Sequence, residues 1–428
     1  MAEFTFEDYR VNKHQYQEDG ERLLMEKKHA FLFYEPGKGK TYPAIAALQQ
    51  VAPNGRVLIL STADSITNMW NVEIVPQNIL PKNTILMSFN AAIQDATKAM
   101  LLKVKWDVII VDESHKVKSH NSQISKLVYQ LTKNVRYAWG LTGTPRGNCD
   151  IDIFCQFHNL NVDEWGDVAY TRFVNTCCDV KKSYGAHGPY QQVTGINSRY
   201  RAGWERNVAM HSQRICYEDG DMPPLNIVPH ELPFEKSNEY KRAEDGILIV
   251  NDDATTMAKL AAITKMHQAA NGYLYWTNDQ GKRETYRFGK SNYKLVWLRE
   301  HLLEKEPVVI VYRHEADLQD LQDMYPYATE DIDVFKKGQS QVLLLQCSRC
   351  ESFNLQNTGC KRMIFYTMDY SYIKFKQMLH RVWRQGQENE TTIDILLYKG
   401  SIEEEIWKAV EGKKKLADLF MSVKTDLL

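Results

Sequence analysis

Short apolar runs rich in Val, Ile, Leu and Phe recur along the chain in two blocks, separated by segments of helical length. The first block holds AFLFYEP, RVLILS, TILMSF, DVIIVDE and YAWGLTGT; the second holds PVVIVYR, QVLLLQC, RMIFYT and TTIDILLY. Near-continuous apolar runs of strand length belong to strands buried on both faces, the pattern of parallel α/β sheets. The prediction is an α/β fold of two lobes, each a mostly parallel sheet flanked by helices. Between the blocks, from about residue 150 to 300, aromatics, charges and short helical patterns replace the strand runs. The first lobe is therefore set at residues 1–228 with a helical insertion from about 150. The second is set at 229–428, preceded by a helical insertion at about 235–290. The proline-rich stretch DMPPLNIVPHELP reads as a link between lobes, and KKSYGAHGPYQQVTGINSRYRAGWER reads as irregular.

Composition narrows the class without changing this picture. A chain of 428 residues suits two or three domains, and 43% hydrophobic with 25% charged residues is ordinary for a globular protein. No apolar run reaches the roughly eighteen residues of a membrane span, and the start MAEFTFEDYRVNKHQ has no signal-peptide pattern, so neither is expected. A net charge of −1 leaves a local basic groove open. The 8 cysteines, without a secretion signal, point to reduced thiols in a cytosol-like compartment. Cys347 and Cys350 stand at a zinc-type spacing with Cys360 following, but no second pair accompanies them; buried or incidental thiols are the expectation.

The chemistry starts at YEPGKGKTYPAIAAL, directly after AFLF. A strand, a glycine turn and an apolar-periodic helix are the context of a phosphate-binding loop. Gly37 and Gly39 let backbone N–H groups approach phosphates at a helix N-terminus, Lys40 neutralises the β- and γ-phosphates, and Thr41 ligates Mg²⁺. The strict motif has glycine where this chain has Tyr34. About seventy residues on, DVIIVDESHKVKS delivers Asp112 and Glu113 at the end of a buried strand, where ligands of open α/β sheets bind. Asp112 suits Mg²⁺ and Glu113 suits polarising the attacking water; an acidic strand-to-helix cap is the alternative.

GKGKT, DESH, LTGTP and QMLHRVWRQGQ stand in the order found in superfamily-two helicases, and in detail they resemble the Swi/Snf family of ATP-driven DNA translocases. YQEDG resembles that family's adenine-reading element and points to Gln17. STADSITNMWNVE, FNLQ and KGSIEEEIWKAVEGKKKL resemble further family segments, so the matches run from about residue 15 to 415. Ser114 replaces the family's usual alanine, SRCESFNL lacks its glycines, MDYSYIKF lacks Trp-x-Pro, and Trp383 stands where histidine is usual. The segment FVNTCCDVKKSYGAHGPYQQVTGIN, with SQRI after it, is most similar to the fork-remodelling (annealing helicase) branch; with no recognisable chromatin-reading domain and only short insertions, a compact phage or bacterial member is the expectation.

The resemblance implies two RecA-like lobes, with ATP and Mg²⁺ on the first at Gln17, Gly37, Lys38, Gly39, Lys40, Thr41 and Asp112. It implies catalytic roles for Lys40 and Glu113, and for Gln377, Arg381 and Arg384, which share one helical face. The guanidinium groups would meet the γ-phosphate in the transition state. The implied track is duplex or branched DNA, held without sequence specificity through Asn68, Lys118, Thr142 and Asn354. Trp70 is set nearby, with a core position the alternative. Lys181–Lys182 and Lys413–Lys415 are expected to be solvated faces. The function implied is a monomeric translocating ATPase in replication, recombination or repair, with protein partners at forks. Its compartment would be a bacterial or phage-infected cytoplasm, or a nucleus if the source is eukaryotic. Displacement of a DNA-bound protein such as a polymerase, and a non-catalytic scaffold, are the alternatives.

Overall fold

The apolar runs of both blocks fold as strands of two parallel sheets in the computed structural model. It describes residues 5–146, 150–185, 188–217, 222–245, 256–277, 280–289, 292–302, 306–349, 355, 358–383 and 390–412. Two compact units emerge, one chiefly from residues 1–182 and 191–221, the other chiefly from 222–350 and 354–428.

In the first unit the strands are β1 (His29–Tyr34), β2 (Val57–Ser61), β3 (Thr84–Ser88), β4 (Val108–Asp112), β5 (Tyr137–Leu141) and a later strand, β8 (Ser212–Ile215). They lie in the order β3-β2-β4-β5-β1-β8, every neighbour parallel. The interior strands are apolar along most of their length because both faces are covered. Leu58, Leu60, Ile109 and Val111 enter one core cluster, while Val57, Ile59, Val108 and Ile110 enter another. Each such burial is worth roughly 1.5–3 kcal/mol. Gly140 in β5 has a steric reason, since an added Cβ would lie 2.2 Å from the Phe31 ring.

Before β8, β6 (Cys178–Gly185) and β7 (Gly188–Ile196) form a two-stranded ribbon, followed by the helix Ser198–His211. The segment expected to be irregular is thus mostly regular.

The second unit has β9 (Leu225–Leu232), a hairpin of β10 (Tyr273–Thr277) and β11 (Arg283–Arg287), and then β12 (Val308–Tyr312), β13 (Val342–Gln346), β14 (Arg362–Phe365) and β15 (Thr391–Tyr398). Its main sheet runs β13-β12-β14-β15-β9, again parallel throughout. The proline-rich stretch expected to link lobes is β9, paired with β15 from Leu225 to Leu232, so the expected boundary at 228 falls inside a strand. Pro229 is tolerated because β9 is an edge strand, where a missing N–H breaks no interior ladder. The insertion at 235–290 holds helices Asn238–Glu244 and Thr256–Ala270, but ends in the β10–β11 hairpin rather than being wholly helical.

A buried polar knot ties the second unit together. Glu403, in the first turn of helix Ile402–Glu411, accepts from Lys294 Nζ at 2.7 Å, Asn271 Nδ2 at 2.9 Å and the Tyr398 N–H at 3.0 Å. His267 Nε2 lies 3.3 Å away. Burial alone would raise the Glu403 carboxyl, but Lys294 and His267 hold it down at about 2. No helix among the described residues is long and apolar enough to cross a membrane.

Candidate functional site

Residues 35–40 join β1 to the helix Thr41–Val51. Gly37 (φ 96°) and Gly39 (φ 68°) take the left-handed backbone that only glycine adopts cheaply, and this turns the loop over the helix start. The loop is held from two sides. From the N-terminal helix Gln15–Lys27, Tyr16 Oη donates to the Lys38 carbonyl at 3.2 Å, and Gln17 Nε2 reaches the Gly39 carbonyl at 3.4 Å. Gln17 is buried, its Oε1 accepting from the His14 N–H at 2.9 Å, and a Cβ on Gly39 would meet its Nε2 at 2.7 Å. From the end of β8, Tyr217 donates its N–H to Glu35 Oε2 at 2.9 Å and its hydroxyl to the Pro36 carbonyl. Lys38 is buried with its ammonium 4.6 Å from the Tyr217 ring centroid, so that side chain braces the loop.

Asp112 and Glu113 arrive at the C-terminal end of β4, as Thr41 opens the helix after the loop. Asp112 Oδ2 accepts from Ser61 Oγ at 2.9 Å, Trp70 Nε1 at 3.1 Å and Ser65 Oγ at 3.2 Å. Its Oδ1 is buried and has no partner among the described residues. Burial pushes the Asp112 carboxyl up, Lys40 pulls it down, and Glu113 adds to the rise. An orphaned carboxylate oxygen with a hydroxyl and a second carboxylate close in sequence is a hard-oxygen donor set, which fits Mg²⁺. Asp112 and Thr41 would hold it.

Glu113 sits at φ 53°, ψ 48°, a left-handed conformation costing a non-glycine residue roughly 1–3 kcal/mol. That conformation places its carboxylate 3.6 Å from Lys40 Nζ and 3.2 Å from His115 Nδ1. His115 Nδ1 in turn lies 3.1 Å from Thr142 Oγ1 at the end of β5, and Thr142 Oγ1 accepts from the Thr144 N–H at 3.1 Å. The ends of β4 and β5 and the phosphate loop are thereby wired into one polar network.

Several residues expected on DNA fall elsewhere. Trp70 is 0% exposed and spends its indole N–H on Asp112, so it supports the carboxylate and does not face nucleic acid. Thr142 is likewise fully buried, its hydroxyl committed to His115 and Thr144. Asn68 is exposed. Lys118 is half-buried, 4.0 Å from Asp152. Asn354 lies outside the described residues, as do Arg384, Cys350 and Lys413–Lys415. Among the described residues no cluster able to hold a metal by His, Cys, Asp and Glu alone is present, and Cys347 and Cys360 are buried thiols.

In the second unit, Gln377 and Arg381 lie one turn apart on helix Tyr372–Val382, Gln377 buried and Arg381 half-buried. Trp383 ends that helix: its Nε1 donates to the Pro223 carbonyl at 2.8 Å and its ring stacks on His380 at 5.4 Å. The departure at this position is therefore a structural anchor beside β9. Ser61, Ser65, His115 and Tyr217 were not singled out from sequence. Ser61 ends β2, the neighbour of β4, so only the strand order reveals that it flanks Asp112.

Residues 77–183 match the family model described as SNF2-related domain. Across 94% of its length the chain is 21% identical to the SWI/SNF-related matrix-associated actin-dependent regulator of chromatin subfamily A-like protein 1 of Drosophila melanogaster. It is 22% identical across 93% to the uncharacterized ATP-dependent helicase YqhH of Bacillus subtilis, and 22% across 91% to the DNA repair and recombination protein RAD26 of Saccharomyces cerevisiae. The chain is thus similar over most of its length to Swi/Snf-related and helicase-named proteins. It spans 55% of the fly protein, 77% of the Bacillus protein and 36% of the yeast protein. A solved chain, the Sulfolobus solfataricus SWI2/SNF2 ATPase core in complex with dsDNA, aligns over 97% of this chain and 93% of its own, with a TM-score of 0.42 and 19% identity. The phosphate loop and the β4 carboxylates are the candidate ATP site.

Proposed function

We propose that the chain is an ATP-driven motor that moves along duplex DNA without reading its sequence. The observation that carries this reading is the convergence at the phosphate loop: Lys40 stands 3.6 Å from Glu113, beside an Asp112 whose Oδ1 has no partner among the described residues. In this reading the loop N–H groups and Lys40 hold the ATP phosphates, Gln17 reads the adenine, and Glu113 orients the attacking water. When bound at Asp112 and Thr41, Mg²⁺ would supply charge neutralisation for the β- and γ-phosphates. Gln377, Arg381 and Arg384 are proposed to act on the transferring phosphate, a guanidinium there being worth roughly a thousandfold or more in related NTPases. Nucleotide state then shifts the population of conformations that grip DNA, which makes hydrolysis usable as movement.

Backbone contacts carry no sequence information, so DNA binding is expected to be sequence-independent and salt-sensitive. The finer role we favour is remodelling of branched DNA, in keeping with relatives named for DNA repair and recombination. The test is steady-state ATPase activity of the whole chain with single-stranded, duplex and forked DNA and with RNA. Stimulation by duplex or forked DNA is the expected result. Stimulation by RNA alone would overturn the DNA reading, and absence of turnover under every condition would overturn the motor.

A further inference from the structure

Tyr34, the last residue of β1, stands where the strict phosphate-loop motif has glycine, and it is fully buried. Its hydroxyl reaches two acceptors. One is the Tyr16 carbonyl at 3.0 Å, in the first turn of the helix Gln15–Lys27; the other is Gln213 Oε1 on β8. A phenol has one proton to donate, so the two acceptors share it. Burial pushes the Tyr34 hydroxyl well above its usual range, with Tyr16 and Asp19 adding to the rise, so that proton stays in place. The Tyr34 and Tyr16 rings meet edge to face, their centroids 5.6 Å apart.

The helix is shaped around this hydroxyl. Gly20 lies one turn after Tyr16 in the helix interior, where glycine is a weak helix former. A Cβ on Gly20 would lie 2.1 Å from Tyr34 Oη, 2.9 Å from Gln213 Oε1 and 3.2 Å from Leu32 Cδ2. Glycine at 20 therefore makes room for tyrosine at 34. From the helix the contacts return to the loop: the Tyr16 hydroxyl donates to the Lys38 carbonyl at 3.2 Å, and Gln17 Nε2 reaches the Gly39 carbonyl at 3.4 Å. The far end of the helix has its own tie, Trp139 Nε1 donating to the Leu24 carbonyl at 3.0 Å. Tyr34 is thus the tie at the end that carries Gln17, on a path running from β8 through the end of β1 and the helix to the phosphate loop.

We propose that Tyr34 is a positioning residue for base selectivity, its hydroxyl seating the first turn of the helix so that Gln17 meets adenine while the loop holds the phosphates. It acts through Tyr16 and Gln17 rather than on the nucleotide, and the proposal rests on the ATP-site reading of Gln17 and Lys40. The experiment compares Tyr34→Phe with the unaltered whole chain by equilibrium titration with ATP and with GTP, and by steady-state turnover of both. Tyr34→Phe should weaken ATP binding and raise the KM for ATP roughly fivefold, with a smaller change in kcat, because one hydroxyl contact is lost and the groups facing the phosphates stay. GTP, which offers Gln17 no adenine, should be affected little, so the preference for ATP in kcat/KM should fall by about the same factor. Gly20→Ala should reproduce the loss by pressing on the hydroxyl from the helix side. The pair Gly20→Ala/Tyr34→Phe should lose less than the two single losses combined, since both act on one contact. An unmoved preference for ATP in Tyr34→Phe would overturn the proposal. So would equal losses for ATP and GTP, or a lowered unfolding midpoint with the preference intact, either of which makes the hydroxyl a support of the fold alone. Independent losses at Gly20 and Tyr34 would overturn it as well. Equal affinity of the unaltered chain for ATP and GTP would remove the reading of Gln17 and the proposal together, whereas selective ATP binding with the preference unmoved in Tyr34→Phe strikes the proposal alone.

Discussion

The indole Nε1 of Trp70 donates to Oδ2 of Asp112 at 3.1 Å, and both residues are buried. A hydrogen bond to a buried carboxylate favours its ionised form, which burial otherwise opposes here. Trp70→Phe keeps most of the ring volume and removes that donor. The expected outcome is a loss of roughly 1.5–3 kcal/mol in stability, together with weaker Mg²⁺-ATP use. The acid limb of kcat/KM should move to higher pH, because the carboxyl becomes harder to ionise. DNA affinity should stay unchanged, and a selective loss of DNA affinity with an unmoved pH profile would return Trp70 to the DNA.

The phosphate loop and the β4 carboxylates were legible in the sequence because their signals are local: an apolar strand, a glycine turn and a helix lie within about twenty consecutive residues. The strands of both main sheets were legible for the same reason, except β8 and β9. SQRI is short and polar, and LNIVPHEL contains a proline that only an edge position tolerates, so neither carries the signature of a buried strand. Trp70 and Thr142 were misplaced because burial depends on which strands become neighbours, and no local pattern encodes that. The β10–β11 hairpin stayed hidden because Tyr, Trp, Thr and Arg are compatible with exposed helix or strand. Its pairing appears only once Tyr273 and Tyr275 find Asp317 and Ala316.

Lys40 and Glu113 make separable predictions although they lie 3.6 Å apart. Lys40→Ala should abolish turnover and weaken ATP binding, since it removes the cation facing the phosphates. Glu113→Gln should abolish turnover while ATP still binds, because the amide cannot polarise water as a carboxylate does. Single-turnover assays and nucleotide titration distinguish the two. Normal turnover in either variant would refute the assigned roles.

Tyr217 predicts a positioning effect. Its hydroxyl donates to the Pro36 carbonyl, and its ring lies beneath Lys38. Tyr217→Ala should release that side of the loop and raise the KM for ATP roughly tenfold, with a smaller change in kcat, since about 1 kcal/mol attaches to each contact. Tyr217→Phe keeps the cation–π contact and should fall between the two. Equal KM values for all three proteins would show that the contacts at residues 16, 17 and 39 hold the loop unaided.

Acid stability should fall in two stages, both set in the second unit: the upper by His314 together with His267, whose imidazole burial also holds below its usual value, and the lower by Glu403. Burial depresses His314 to about 2 from the usual 6.5, with His267 and Arg313 adding to the effect, so the folded state keeps it neutral. The unfolded chain therefore binds a proton that the folded chain refuses, and stability declines as the pH drops below 6.5. Glu403 joins lower down. Its folded carboxyl lies near 2 against the usual 4.5, so the stability it adds is complete above 4.5 and is lost as the pH falls toward 2. Thermal unfolding midpoints measured from about pH 7 to about pH 3 should decline gently at first and then more steeply. His314→Gln should flatten the upper part of that decline and leave the lower part. Glu403→Gln should instead lower stability by roughly 3–5 kcal/mol even near neutral pH, because Lys294 is then left buried without its counter-charge. A midpoint in Glu403→Gln equal to that of the unaltered chain at neutral pH would show that the knot at Lys294 adds nothing to the fold.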